Sequence, residues 1–145
     1  MITNFRHAGI VVFDLNQSLR FWCDLLGFTI QKRQDEKGQF IDNLLGMTDV
    51  YVTTCKLIGP NGILIELLKY HSHPDLNEWK GLPNSTGLTH LAFTVDDIDS
   101  LYDSLKKAGV DFKCRPLISD DGGVKVTYAV GPEKLLLELV EVLNK

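Results

Sequence analysis

The chain has 145 residues, 44% of them hydrophobic and 23% charged, which provides for the packed core of one domain and excludes a disordered tail. Its formal net charge is −4, from 15 basic and 19 acidic residues, and no dense Lys/Arg run interrupts it, so nucleic acid is excluded as the expected partner. No apolar run approaches the ~18 residues of a membrane span, and the N-terminal stretch lacks the long apolar region and cleavage site of a signal peptide. Cys23, Cys55 and Cys114 form an odd set without CxxC spacing, which argues against a disulfide frame or thiolate zinc knot and for a reducing, cytoplasmic setting.

The elements read as follows along the chain. His7 opens a short apolar strand in which His7, Gly9 and Val11 share one face and Ala8, Ile10 and Val12 the other. Leu15, Leu19, Trp22 and Leu26 then form one helical stripe. Asp14 or Asn16 is placed to cap its start, and Gly27 to stop it in the left-handed conformation. Strands are predicted over Phe28–Lys32, Val50–Leu57 and Gly62–Lys69. Between the first two, GQFIDNLLGM predicts a short helix with Phe40, Ile41, Leu44 and Leu45 on one face, packed on a sheet edge or second subunit, or walling a pocket. Residues 71–86 read as a polar linker, in which His71 and His73 are expected to be solvated rather than a second metal site, and Trp79 to cover a cavity mouth or join an interface.

A second strand opens at His90, with Ala92 and Thr94 on its face. Ile98, Leu101, Leu105 and Ala108 form the next helical stripe, stopped at Gly109. Asp96, Asp97 and Asp99 read as helix-start charges. Strands are predicted over Val110–Arg115, Val124–Val130 and Leu135–Val142. Cys23 and Cys55 read as small core residues, Cys114 as a strand residue with no base beside it, and Tyr128 as a structural residue with a place facing a cavity as its alternative.

The chain therefore repeats itself. HAGIVVFDLNQSLRFWCDLLGF, at 7–28, matches HLAFTVDDIDSLYDSLKKAGV, at 90–110. GPNGILIELL, at 59–68, matches GPEKLLLELV, at 131–140, with Glu66 and Glu138 at equivalent places. Each half reads β-α-β-β-β: an α+β domain spanning 1–145, with module 1 at about 4–70, the linker at about 71–86 and module 2 at about 87–143.

The two glutamates carry the chemistry. Each is the single carboxylate at the centre of an otherwise apolar run, and a carboxylate buried without a partner costs several kcal/mol or neutralises. One common explanation for both is a metal centre of His7, Glu66, His90 and Glu138, whose imidazole and carboxylate donors suit divalent Zn, Ni, Co, Mn or Fe. The plainer alternative is four partly exposed residues repeated because the module was duplicated.

These segments resemble the vicinal oxygen chelate superfamily, which includes glyoxalase I, methylmalonyl-CoA epimerase, extradiol dioxygenases, and the fosfomycin- and bleomycin-resistance proteins. The resemblance covers essentially the whole chain. It implies paired βαβββ modules whose mixed sheets curl into a cup, with the metal on His7, Glu66, His90 and Glu138. It also implies a small-molecule substrate chelated through adjacent oxygens, and a homodimer, in which the ligands come from one chain or from two. By that resemblance the activity is a metal-dependent lyase or isomerase of glyoxalase I or epimerase type, with Glu138 as the proton-accepting base and Glu66 its counterpart. An extradiol dioxygenase would leave the position of Glu66 free. Epimerases use a further carboxylate, for which Asp49 is a weak candidate and reads rather as a turn residue. A fosfomycin-type thiol transferase would surround the metal with cationic residues, and the sequence shows no such cluster. A non-catalytic binding protein using the same cup is the remaining class.

Overall fold

A computed structural model describes residues 1, 3–74, 79, 81–88 and 90–144. The chain divides into two compact units, Met1–Glu78 and Trp79–Lys145. The division falls within the predicted linker, of which residues 75–78 and 80 lie outside the described set.

In the first unit, β1 (Ala8–Val11) leads to α1 (Leu15–Leu19), followed by β2 (Thr29–Lys37), α2 (Gln39–Leu45), β3 (Tyr51–Ile58) and β4 (Leu64–Tyr70). The sheet order is β1-β4-β3-β2, with β1 parallel to β4 and the other pairs antiparallel. Asp14 caps α1, its carboxylate accepting from Gln17 N at 2.9 Å. The helix does not keep its α pitch. It continues as a π-helical segment over Arg20–Leu25. The wider turn buries Phe21 as well as the predicted Trp22, above the buried Ser18. Trp22 meets Phe21 and Phe28 edge to face, with ring centroids 5.7 and 5.1 Å away. Cys55, Leu57, Ile65 and Leu67, from the sheet, complete the core of this unit. Full burial of a side chain such as Leu67 contributes about 1.5–3 kcal/mol.

The second unit repeats this order: β5 (His90–Val95), α3 (Ile98–Lys107), β6 (Asp111–Phe112), β7 (Leu117–Ile118), β8 (Val124–Val130) and β9 (Leu136–Val142). Its sheet runs β5-β9-β8-β6, with β7 also on β8. Asp97 caps α3 through Ser100 N at 2.9 Å, and Glu141 of β9 accepts from Ile98 N at 2.9 Å, which ties the helix start to the sheet. Ile98, Leu105, Ala129, Leu137 and Leu139 are buried. Gly27 and Gly109 both have positive φ, as the helix-stop reading requires.

Four predicted elements differ from those observed. The first His strand starts later than predicted: β1 begins at Ala8, so His7 immediately precedes it, whereas β5 begins at His90 as expected. β2 runs on to Lys37 instead of stopping at Lys32; the added residues, RQDEK, form a charged, mostly exposed edge with no apolar alternation to announce it. The single strand expected over Val110–Arg115 is two short ones, β6 and β7. Lys113 N still bonds Tyr128 O at 2.9 Å, but the register then slips, with residues 113–116 opposite only 127 and 128 between the Phe112–Ala129 and Leu117–Val126 pairs. On α2 only Ile41 is buried, among Val50, Val52, Met47, Leu68 and Tyr70, while Phe40 and Leu44 are 77% and 66% exposed.

Candidate metal centre

The register of each sheet sets its candidate ligands. In the first unit Gly9 of β1 pairs with Glu66 of β4, and in the second Ala92 of β5 pairs with Glu138 of β9. Gly9 and Ala92 lie two residues after His7 and His90, so the duplicated sequence is duplicated in strand register too. His7 Nε2 lies 3.8 Å from Glu66 Oε1, and His90 Nε2 lies 3.3 Å from Glu138 Oε2. All four side chains are partly exposed, at 28% and 15% for the first pair and 35% and 26% for the second. The structure thus brings together His7 with Glu66, and His90 with Glu138. Among the described residues no group of three or more His, Cys, Asp or Glu forms a complete metal cage, so each unit presents a pair.

The donor set fits a divalent ion. Zinc-type bonds to imidazole nitrogen and carboxylate oxygen are about 2.0–2.1 Å long, which places two such ligands of one ion about 2.9–3.4 Å apart at right-angled or tetrahedral geometry. The His90–Glu138 separation falls within that range, and the His7–Glu66 separation exceeds it by a few tenths of an ångström.

The neighbours of the two glutamates differ. Tyr128 of β8 is directly opposite Glu138. Burial, and then the charge of the Glu138 carboxylate, pushes its phenol above the ordinary value. Tyr128 Oη is also 3.5 Å from His90 Nε2, and the two rings meet edge to face at 5.3 Å. Tyr128 is therefore part of this site and not only a packing residue. Opposite Glu66 the equivalent residue is Lys56 of β3, and Lys32 of β2 pairs in turn with Lys56. Alternation was the signal that could have found the two lysines and decided between the two readings of Tyr128. It needed the strand registers to use it, and a bulge between Ile30 and Lys32 shifts one of them.

The remaining candidates fall elsewhere. His71 is exposed but not free: its Nε2 is 2.7 Å from Thr53 Oγ1 and its ring stacks on Tyr51 at 4.3 Å. Thr53 donates to Asp35 at 2.6 Å, and this bond leads the causes that hold the Asp35 carboxyl below the usual range. Asp49 sits at positive φ in the turn after α2, its N–H bonded to Asp42. Cys55 is buried, Cys23 partly so, and burial raises both thiols; Cys114 is exposed, its Sγ 3.8 Å from Thr127 Oγ1. No helix among the described residues is long and apolar enough to cross a membrane.

Two mixed sheets of the same strand order, each with a His–Glu pair at matching places on or beside its parallel strands, define a duplicated α+β fold. The chain belongs to the Glyoxalase/Bleomycin resistance protein/Dioxygenase superfamily, whose model matches residues 4–118. It is 34% identical over 142 residues to the uncharacterised protein YaeR of Escherichia coli K12, covering 93% of each chain. It is 26% identical to a probable lactoylglutathione lyase of Synechocystis, over 96% of this chain and 95% of that one. A glyoxalase family protein of Bacillus cereus shares its fold with a TM-score of 0.90 at 24% identity, over 99% and 97% of the two chains. The α+β glyoxalase fold expected from the sequence is therefore the fold of this protein.

Proposed function

We propose that the chain is a metal-dependent lyase or isomerase of glyoxalase I or epimerase type, with His7, Glu66, His90 and Glu138 as the ligands of a divalent Zn, Ni, Co, Mn or Fe ion. The observation that carries this reading is the matched placement of a His–Glu pair, at 3.8 and 3.3 Å, in both copies of the duplicated module. Duplication alone would copy a structural pair, and what favours a metal is that both copies keep donors of metal-ligand chemistry, which one shared ion would use with its ligands drawn from one chain or from two in a homodimer. Relationship to a probable lactoylglutathione lyase adds weight to proton-transfer chemistry.

Such an ion supplies Lewis acidity to a substrate chelated through adjacent oxygens and stabilises the negative charge that develops there. The residues do the rest. Glu138 takes the proton from the carbon beside the carbonyl and returns it to the neighbouring carbon or the opposite face, a general-base role worth roughly 10²–10⁴-fold. Glu66 stands as its pseudo-symmetric counterpart. Tyr128, opposite Glu138 in register and edge to face on His90, packs beside the pair and limits its movement.

The test is elemental analysis of tag-free protein, followed by assay of the metal-loaded form on the glutathione hemithioacetal of methylglyoxal and on chiral acyl-CoA thioesters. One equivalent of metal with turnover on either substrate, lost in Glu138→Gln while metal is kept, supports the reading. Protein that binds none of the five metals overturns it and leaves the organic-ligand binding class. Turnover of a catechol with oxygen by an iron-loaded form would instead establish the dioxygenase alternative.

A further inference from the structure

One row of side chains crosses the first sheet at the level of Glu66. Register places Gly9, Glu66, Lys56 and Lys32 side by side on β1, β4, β3 and β2. Directly opposite residues have Cβ atoms about 4.5–5.5 Å apart, and like charges in such positions oppose each other. A Lys32–Lys56 pair is therefore an unfavourable cross-strand choice by itself. Neither lysine forms an ion pair with a described residue, whereas Glu66 has His7 beside it.

The other cations of this sheet are differently engaged. Lys37 lies 3.9 Å above the Tyr51 ring, and Lys69 donates to the Phe13 carbonyl oxygen. Arg33, paired with Cys55, faces the reverse side of the sheet. Comparison with the second unit sharpens the point. There the residue opposite the glutamate is the neutral Tyr128, whose hydroxyl lies 3.5 Å from His90 Nε2. Lys56 occupies that same place and does not close on Glu66. The repeat thus has one neutral donor and, in its other copy, two ammonium groups in a row.

We propose that Lys32 and Lys56 form an anion subsite that takes an oxyanion group, carboxylate or phosphoryl, of the substrate, and that the substrate of this protein is therefore negatively charged. The proposal rests on the metal reading above for the place where the substrate's other end is held. Leu68 and Val52, on the same face, and Ile41 of α2 packed over them bound the row on one side with apolar surface. That arrangement suits a short chain joining the chelated end to the anionic one.

The experiment is calorimetric titration of the full chain with inorganic phosphate and, separately, with succinate. Each titration uses a zinc-loaded and an EDTA-treated preparation, for the wild type and for Lys32→Gln, Lys56→Gln and the double variant. Zinc content is measured on every sample. The expected result is saturable binding of at least one anion that weakens at higher ionic strength. It should weaken at least tenfold in the double variant with zinc content unchanged. Which anion binds distinguishes phosphoryl from carboxylate recognition. Binding equal in wild type and double variant overturns the subsite while leaving the metal reading intact. Lysine-dependent binding in a protein that takes up no zinc supports the subsite and overturns the metal reading. No binding of either anion in either preparation overturns the subsite. Circular dichroism of the variants guards the comparison, and the single substitutions serve if the double variant does not fold.

Discussion

Glu66 and Glu138 are the same residue of a duplicated strand, yet one faces a lysine and the other a tyrosine. Beside Glu138 the Tyr128 hydroxyl lies 3.5 Å from His90 Nε2 and its ring meets that imidazole edge to face, so the His90 side chain is held with less freedom to lose. Tyr128→Phe should weaken zinc binding by about 10–100-fold, the usual cost of losing an outer-shell partner. Competition against a chromophoric chelator reads this, with an unchanged circular dichroism spectrum. Equal affinity would mean that Tyr128 only packs on His90. Away from the site, the Thr53 hydroxyl bond holds Asp35 below its ordinary value, aided by Tyr51. A carboxyl with a lowered folded pKa stabilises the fold above its unfolded value, about 3.9, and loses that contribution as pH falls through the lowered one. Thr53→Val should therefore flatten the fall in melting temperature between about pH 4 and pH 2. A parallel pH curve for the variant would remove Asp35 from the acid response.

At the scale of elements, the turns before the two Glu strands show how closely the repeat is kept. Both are 3-10 turns beginning Gly-Pro, and each puts a non-glycine residue, Asn61 or Glu133, at φ 56°. Gly59 is needed for a different reason. A Cβ there would lie 2.5 Å from the Phe28 ring, which is packed edge to face on Trp22. Gly59→Ala should cost about 1–3 kcal/mol through overpacking. Phe28→Leu in the same chain should recover part of it, and a double-mutant cycle in urea measures the coupling. Additive losses would show that the ring shifts freely. Elements with apolar period were legible in the sequence: α1 and α3 with their caps, β4, β8 and β9. The extension of β2 was not, because an exposed edge strand needs no apolar face, and neither was the β6–β7 break, because it is a slip of cross-strand register between the Phe112–Ala129 and Leu117–Val126 pairs. The His–Glu pairing was legible because each glutamate was the sole charge at the centre of its apolar strand and recurred at the same offset. Lys32 and Lys56 were not, and Tyr128 only as the lesser of two readings, because their place depends on cross-strand register, which a bulge changes and which no local pattern records.

At the scale of the whole molecule, duplication has a consequence for metal binding that separates one shared ion from two independent ones. Each unit carries two donors, and two protein ligands leave a divalent ion mostly hydrated, whereas catalytic sites hold theirs with at least three. If one ion takes His7, Glu66, His90 and Glu138 together, removing either pair removes most of the affinity. The loss is then shared by both units and not confined to the damaged one. His7→Ala,Glu66→Gln and His90→Ala,Glu138→Gln should each reduce bound zinc from one equivalent toward zero at micromolar free metal. The same variants should lose the metal-dependent rise in melting temperature. That rise corresponds to about 2.7 kcal/mol when free metal is a hundredfold above the dissociation constant. EDTA treatment of the wild type should lower the melting temperature by the same amount as either double substitution. Two independent sites give a different pattern: each variant keeps half the metal of a two-equivalent protein and half of the stabilisation. Mixing the two variants adds the last discrimination. A site shared between copies of the chain regains metal on mixing, because an intact pair from each variant can meet across a dimer, whereas a site built within one chain stays empty.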